Sequence, residues 1–114
     1  MSRFDVYVNP EGSGWLIDIQ TDLLEGLDTR VVVPLLKLDE VPPPTKRLHP
    51  VFELSGERVV MATQLMAAVP ASVLAAPLTN LSAYRDEITA ALDLLSLGFS
   101  VSTDDRPKAE KPGR

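Results

Sequence analysis

Hydrophobic and polar residues alternate with a period of two over the first twenty positions of the chain. Phe4, Val6 and Val8 are separated by more polar residues, which is typical of a strand with one apolar face. The turn-forming run Asn-Pro-Glu-Gly-Ser-Gly at residues 9–14 follows it, and a second alternating segment covers residues 15–20. This pattern predicts an antiparallel hairpin.

Two further segments of the first two thirds of the chain predict β-structure. Residues 29–36 are β-branched and apolar, which predicts a more buried strand. Pro34 lacks an amide donor, so we expect it at an edge or near the end of that strand. The dipeptide Ser55-Gly56 separates the apolar runs 48–54 and 57–62, which predicts a second hairpin.

The last third of the chain predicts a helix. Residues 65–79 contain Pro70 and Pro77, and we interpret them as an irregular, partly buried crossing. Ser82 is a suitable N-cap, and acidic residues in the first turns favour the helix dipole. The apolar positions that share one helical face are Tyr84, Ile88, Ala91, Leu92 and Leu95.

Three leucines do not fit these buried faces. Leu97 points away from the apolar stripe of the predicted helix, which indicates either an ordinary surface leucine at a frayed end or a contact with another protein. Leu23 and Leu24 are adjacent, so both cannot face inward from a strand. Either one closes the core while the other is exposed, or the pair belongs to a binding surface.

Charge divides the chain into two parts. Residues 1–99 hold 13 acidic and 7 basic side chains, a net charge of −6, whereas residues 100–114 hold 3 acidic and 4 basic ones, a net charge of +1. The second part has Val101 as its one large apolar residue, which is too little to offset the entropy of ordering it. We therefore predict one domain over residues 1–99 and a disordered tail over residues 100–114.

The composition excludes several kinds of chemistry. The chain has no cysteine and one histidine, so it can form neither a disulfide nor a thiolate zinc site, and His49 is its one imidazole. The net charge of −5 opposes non-specific binding to nucleic acid. Since neither a signal peptide nor a run of about 20 apolar residues is present, we expect a cytoplasmic protein that is not an enzyme and has no cofactor.

His49 and the proline run before it have unremarkable explanations as well as functional ones. Residues 41–44, Val-Pro-Pro-Pro, predict an extended connector, which is either a stiff surface loop or a docking motif for a proline-recognition module. His49 has no serine, aspartate or metal-ligand partner nearby in the sequence, which favours a structural role over a catalytic one.

Five blocks of the chain carry a resemblance to a known family. They are Phe4–Tyr7, Asp18–Leu24, Arg30–Leu35, Leu48–Val51 and Met66–Leu74. In this order, over residues 3–99, they resemble the CcdB family of bacterial type II toxin–antitoxin modules. The resemblance implies a mainly β fold with a C-terminal helix: an SH3-like barrel with an antiparallel sheet and a small wing hairpin, assembled as a homodimer.

The same resemblance implies a function. Members of the family inhibit DNA gyrase, a type II topoisomerase, by inserting a toxin dimer into the gyrase A subunit dimer. A cognate CcdA-like antitoxin neutralises them with a segment that folds onto the toxin. The complex of the two represses its own operon, so contact with DNA is made only indirectly, through the antitoxin.

The residues by which the family contacts gyrase are only partly matched in this chain. By resemblance they are Leu23, Leu24, Asp93, Leu97, Gly98 and Phe99. Leu97 stands where the family has a tryptophan that stacks on a gyrase arginine, an interaction of about 0.5–2 kcal/mol that leucine cannot make. Asp93 replaces an asparagine, and a tail follows Phe99. The resemblance therefore predicts antitoxin binding with gyrase poisoning that is weak or lost.

Two alternatives share the same barrel. MazF- and Kid-type toxins are metal-independent endoribonucleases, and their chemistry would need an acid, a base and a cation from among Asp18, Arg30, His49 and Arg58, which form no recognisable motif. The charge of −6 over residues 1–99 also opposes an RNA groove. The other alternative is a non-poisoning co-repressor that binds the antitoxin.

Overall fold

The alternating segments of the sequence form one antiparallel sheet in the computed structural model, which describes residues 1–98. The strands are β1 (Asp5–Val8), β2 (Trp15–Asp18), β3 (Thr29–Lys37), β4 (Val51–Leu54), β5 (Glu57–Met61), β6 (Ala67–Pro70) and β7 (Thr79–Asn80). One helix, α1 (Arg85–Leu97), follows them. Short 3₁₀ turns connect several of these elements. The predicted mainly β fold with a C-terminal helix is confirmed, as a curled half-barrel.

The sheet has the strand order β4-β5-β3-β2-β1-β7, with β6 also paired to β3. Both predicted hairpins are present, β1 with β2 and β4 with β5. In the second hairpin, Ser55 and Gly56 both have positive φ angles, of 53° and 83°. Two residues with positive φ are typical of the tight turns that match the twist of antiparallel strands.

Pro34 lies inside β3 rather than at an outer edge of the sheet. Leu16 of β2 faces it on one side. On the other side, the pairing with β6 ends at Val32 and the pairing with β5 begins at Leu35, so Pro34 faces the gap between those two strands. Its carbonyl accepts the Ala62 amide at 2.9 Å. The missing amide donor is tolerated because no ladder bond is required at this gap.

The main core lies between the sheet and α1. It contains Val6, Ile17, Val33 and other inward residues of the strands, all fully buried. Ile88 and Ala91 of α1 close it. The inward face of the strands and the apolar stripe of the helix therefore pack against each other, as the sequence predicts.

The two ends of α1 differ from the prediction. Ser82 is not the N-cap, because a 3₁₀ turn Ser82–Tyr84 precedes the helix and Tyr84 occupies the cap position without a side-chain cap bond. The side chain of Asn80 instead accepts the Ser82 amide at 2.8 Å. At the other end, Leu95 is 40% exposed, so the buried part of the stripe ends before the last turn.

The opposite face of the sheet carries a second, smaller cluster. It consists of Tyr7, Leu16, Val32 and Leu74, with Val69 packed against it. Leu74 belongs to the segment that the sequence predicts as a partly buried crossing. Because of this second cluster, the residues of β1, β2 and β3 that point away from the main core, Tyr7, Leu16 and Val32, are also buried.

Some expectations concern residues outside 1–98. Phe99 and the predicted disordered tail, residues 100–114, lie outside the described residues. Within the described part of the chain, no helix is long and apolar enough to cross a membrane.

Candidate functional site

The predicted leucine pair lies in a 3₁₀ turn, Asp22–Leu24, between β2 and β3. Thr21, Arg3 and Gln20 each form a hydrogen bond with this turn. The Thr21 hydroxyl accepts the Leu23 amide at 3.3 Å, and the Asp22 carboxylate accepts the Arg3 amide at 2.9 Å. The Gln20 side chain donates to the Leu24 carbonyl at 2.9 Å. The turn therefore has a defined backbone conformation.

Both leucines of this turn face solvent. Leu23 is 91% exposed and Leu24 is 48% exposed. Of the two interpretations left open by the sequence, the one in which a leucine closes the core is wrong. The interpretation that the pair belongs to a binding surface stays a prediction.

The second group of predicted site residues lies at the C-terminal end of α1. Asp93 is half-buried and Leu97 is 56% exposed. Gly98 ends the helix in the left-handed region, with φ +84°, and its amide donates to the Leu94 carbonyl at 3.1 Å. Glycine suits this position because a Cβ is disfavoured at that φ. The predicted site residue Phe99 lies outside the described residues.

A single chain does not bring these two groups together. Leu23 lines a polar notch with Ser82 and Arg85, at the start of α1. Leu97 lies at the other end of this helix, about 18 Å further along its axis. A surface that uses both groups of residues therefore requires either a large partner or two copies of the chain.

A buried ion pair lies on the second face of the sheet. The Arg30 Nη2 and Nε atoms lie 2.7 Å and 2.8 Å from Asp18 Oδ2, and both side chains are at most 1% exposed. The backbone amide of Gln20 donates to the other carboxylate oxygen of Asp18, Oδ1, at 3.0 Å. Burial raises the pKa of Asp18, while the bonds from Gln20 and Arg30 oppose that rise.

Tyr7 is buried beside this ion pair. Its hydroxyl lies near the Asp5 carboxylate but makes no hydrogen bond of good geometry within residues 1–98. Burial, together with the nearby carboxylates of Asp5 and Asp18, raises the pKa of Tyr7 to about 12. The folded protein therefore strongly favours the neutral phenol.

Tyr7→Phe is expected to reduce the loss of stability at alkaline pH. The folded-state pKa of Tyr7 lies above the unfolded value of 10.0, so its contribution to stability is complete below pH 10 and is lost as the pH rises towards 12. Relative to wild type, the variant should gain up to about 3 kcal/mol across that range. Urea unfolding at a series of pH values measures the difference. A difference in unfolding free energy between Tyr7→Phe and wild type that does not change with pH would contradict the raised pKa of Tyr7.

The four candidate residues of the endoribonuclease alternative do not converge. Asp18 and Arg30 are paired with each other and buried. His49 binds the Thr45 amide and the Gln64 side chain. Arg58 is exposed on β5, opposite Glu53. No acid, base and cation of this set share a cleft in the described part of the chain.

A large uncharged surface surrounds β6. No charged residue occurs between Arg58 and Arg85, and much of this stretch is exposed. Leu65, Val69 and Val73 line a mainly apolar groove beside β6, together with Leu16, Val32, Pro34 and others, and Glu11 is the charged residue of this lining. We call the exposed strand β6 and the uncharged residues of this groove the uncharged surface. An exposed edge strand without charge promotes pairing with another chain.

The lack of charged residues in this stretch of the sequence marks the surface, although the stretch has no strand or helix period. Residues 65–79 contain two prolines and no charge, and their pattern predicts an irregular, partly buried crossing. Only Leu74 of this stretch is buried, whereas Leu65 is 52% and Leu78 is 57% exposed. The long uncharged run is therefore mostly exposed rather than buried.

Comparison with known proteins gives two findings. A family model described as CcdB protein matches residues 3–98. Among solved structures, the chain is similar to one described as an endoribonuclease in complex with its cognate antitoxin from a mycobacterial species, with a TM-score of 0.69. The two chains are 16% identical, and the match covers 86% of this chain and 95% of the other. At this level of identity, the likeness concerns the fold.

Proposed function

The chain belongs to the CcdB family, and from this premise we propose that it is the toxin of a toxin–antitoxin module and acts by binding rather than by catalysis. The observation that carries the proposal is the turn Asp22–Leu24, which displays Leu23 and Leu24 to solvent on a backbone held by hydrogen bonds. Two of the partner-contacting positions that the resemblance implies, Leu23 and Leu24, are therefore accessible to a partner.

The proposed neutralising partner is a cognate antitoxin. The similar solved structure is described as an endoribonuclease in complex with its cognate antitoxin, and its antitoxin partner supports this part of the proposal. The test is co-purification with the short protein that the neighbouring upstream reading frame encodes. A tight complex without any effect on growth would favour the co-repressor alternative over the toxin.

The proposed assembly is a homodimer formed through the uncharged surface. The free edge of β6 and the apolar groove beside it present unpaired backbone and apolar side chains to solvent. A self-complementary contact of this surface with its own copy would cover both. Two copies would also supply two sets of the leucine turn and the helix end, which are far apart in one chain.

The proposed target is the gyrase A subunit, with weak poisoning. Leu97 is 56% exposed, so the side chain that replaces the family's tryptophan still lies on the surface. Leucine has no aromatic face to stack on a guanidinium. Gyrase cleavage complexes formed by the purified protein should therefore be few, and abundant complexes with the wild-type chain would contradict this part of the proposal.

Leu97→Trp is expected to strengthen binding to the gyrase A subunit by about 2–30-fold, which corresponds to one aromatic–guanidinium contact. Its surface position allows the larger side chain without disturbing the core. Isothermal titration calorimetry measures the affinity, and plasmid cleavage assays measure poisoning. Adding Leu23→Asp should abolish the gain, whereas Leu27→Asp, at a leucine that is 51% exposed outside the turn, is the matched control.

The endoribonuclease alternative receives no support from the described residues. The cation that it needs cannot be Arg30, which is buried against Asp18, and the exposed Arg58 lines a different pocket from His49. Incubation of the purified protein with RNA tests it directly. Cleavage that survives in an Arg58→Ala, His49→Ala variant would indicate a contaminating nuclease, whereas cleavage that these substitutions abolish would overturn the binding proposal.

A further inference from the structure

The side chain of Gln20 links the turn Asp22–Leu24, which we call the leucine turn, to strand β3. Its Nε2 donates to the Leu24 carbonyl at 2.9 Å, and its Oε1 accepts the Val31 amide at 3.1 Å. Both partners are backbone groups, so their roles as acceptor and donor are fixed and they determine the orientation of the side-chain amide. One planar group therefore bonds the turn with its nitrogen and the sheet with its oxygen.

Gln20 continues the hydrogen-bond ladder beyond the end of β2. The pairing of β2 with β3 ends at Asp18 and Val32, and the Ile19 amide then donates to the Val31 carbonyl at 2.9 Å. The Val31 amide is bound by the side chain of Gln20. The side-chain amide thus takes the place of a backbone peptide group at the point where the chain leaves the sheet and enters the leucine turn.

Gln20 is also anchored at its own backbone. Its amide donates to Asp18 Oδ1 at 3.0 Å, and Asp18 is paired with Arg30 inside the protein. The Leu24 carbonyl accepts the Leu27 amide at 3.2 Å as well, so Gln20 bonds a carbonyl that closes the end of the turn. The leucine turn is therefore tied to the buried ion pair through a single residue.

The bond from Gln20 is the least exposed of the side-chain bonds to the leucine turn. The two others, to the Thr21 hydroxyl and to the Asp22 carboxylate, are exposed to solvent. Exposed hydrogen bonds open more easily, because water can replace either partner. Gln20 is 6% exposed, so water competes less for its bond to the Leu24 carbonyl.

We propose that Gln20 is the positioning residue of the leucine turn, and that its side-chain amide holds the backbone conformation in which Leu23 and Leu24 face solvent. Glutamine suits this task because it accepts from Val31 and donates to Leu24 at the same time. A turn that is held before binding loses less entropy when a partner docks on it. The effect on affinity rests on the proposed function, whereas the effect on the turn does not.

Side-chain amide exchange in the wild-type chain tests the bond itself. The chain has two glutamines, and Gln64 is the internal control because it is exposed and its Nε2 makes no hydrogen bond within residues 1–98. By NMR, the Nε2 hydrogens of Gln20 should exchange at least about tenfold more slowly than those of Gln64, as expected for a bonded, buried amide. Equal exchange rates would overturn the proposal even if no variant at Gln20 folds.

Two substitutions separate the turn bond from the strand bond. Gln20→Met is neutral and similar in length but removes both bonds, whereas Gln20→Glu keeps an acceptor for the Val31 amide and loses the donor to Leu24. In both variants, the protection of the Leu27 amide against hydrogen exchange should fall by about 3–10-fold, because its acceptor carbonyl is no longer held. The protection of Val31 should fall in Gln20→Met alone. An equal fall at the Met61 amide, which is bonded outside the turn, would indicate a general loss of stability and overturn the proposal.

Affinity distinguishes positioning from a purely structural role. Leu97→Trp is the background and the purified gyrase A subunit is the probe. Adding Gln20→Met should weaken binding by about tenfold, whereas Gln64→Met, the same change at an exposed glutamine, should leave it unchanged. Unchanged affinity in the Gln20→Met variant would contradict the positioning role. If Leu97→Trp does not bind the gyrase A subunit at all, the proposed target is wrong, and the two exchange measurements decide for or against the role of Gln20 in the turn.

Discussion

Arg30→Met is expected to lower the free energy of unfolding by about 3–5 kcal/mol at neutral pH. The substitution leaves the Asp18 carboxylate fully buried with the Gln20 amide as its remaining hydrogen-bond donor. Removal of one member of a buried pair is costly because the other charge stays out of water. Urea unfolding at one fixed protein concentration measures the change, since the stability of an oligomer depends on concentration.

The pH dependence of this variant identifies the cause. Without Arg30, burial raises the folded-state pKa of Asp18 further above its unfolded value. A raised carboxyl pKa means that stability is highest in acid and falls as the pH rises through the unfolded value of about 4. The deficit of Arg30→Met relative to wild type should therefore be smaller at pH 4 than at pH 7.

Asp18→Asn combined with Arg30→Met is the control for this prediction. The double variant removes both charges and keeps an oxygen for the Gln20 amide, so it should recover most of the lost stability. A loss of less than about 1 kcal/mol in Arg30→Met would mean that the pair behaves like an exposed one. A double variant as unstable as Arg30→Met would show that packing of the long Arg30 side chain, rather than charge, is responsible.

Leu65→Asp is expected to weaken the proposed homodimer by at least about 100-fold, which corresponds to about 3 kcal/mol. Leu65 is 52% exposed and lines the groove beside β6, so the substitution leaves the core intact but places a carboxylate within the uncharged surface. In a two-fold symmetric contact the charge is introduced twice. Sedimentation equilibrium over a range of concentrations measures the affinity.

Leu27→Asp provides the matched control for the dimer. Leu27 is 51% exposed, lies outside the uncharged surface and introduces the same charge. This variant should remain a dimer. A wild-type protein that is monomeric would contradict the proposed homodimer. If Leu27→Asp dissociates to the same extent as Leu65→Asp, added net charge rather than the position of the charge disrupts the dimer.

Strand and helix positions could be predicted because each element carries its own period. The hairpin over residues 4–20, the hairpin around Ser55-Gly56 and the helical stripe that ends near Leu92 follow from which side chains must leave water. The start of α1 could not be predicted in the same way. The side chain of Asn80 accepts the Ser82 amide, and this bond accompanies a 3₁₀ turn in front of the helix.

The candidate site could be predicted only in part. Leu23 and Leu24 were identified because two adjacent leucines violate strand alternation, and the structure shows both exposed. The uncharged surface was not identified, because its residues belong to no periodic element. In the sequence, Asp18 and Arg30 are possible catalytic groups, since charge alone does not say whether a side chain is free or paired.

The sequence by itself determined the order of the elements, the inward faces of the strands and of α1, and the resemblance to the CcdB family. These depend on local periodicity and on residue identity. Only the tertiary structure decided that Arg30 pairs with Asp18, that Pro34 faces a gap and that the His49 ring contacts Thr45 and Gln64. Asp18 lies opposite Val32, two residues from Arg30 on the same face of the sheet. That proximity depends on the register between β2 and β3, and register is set by long-range packing.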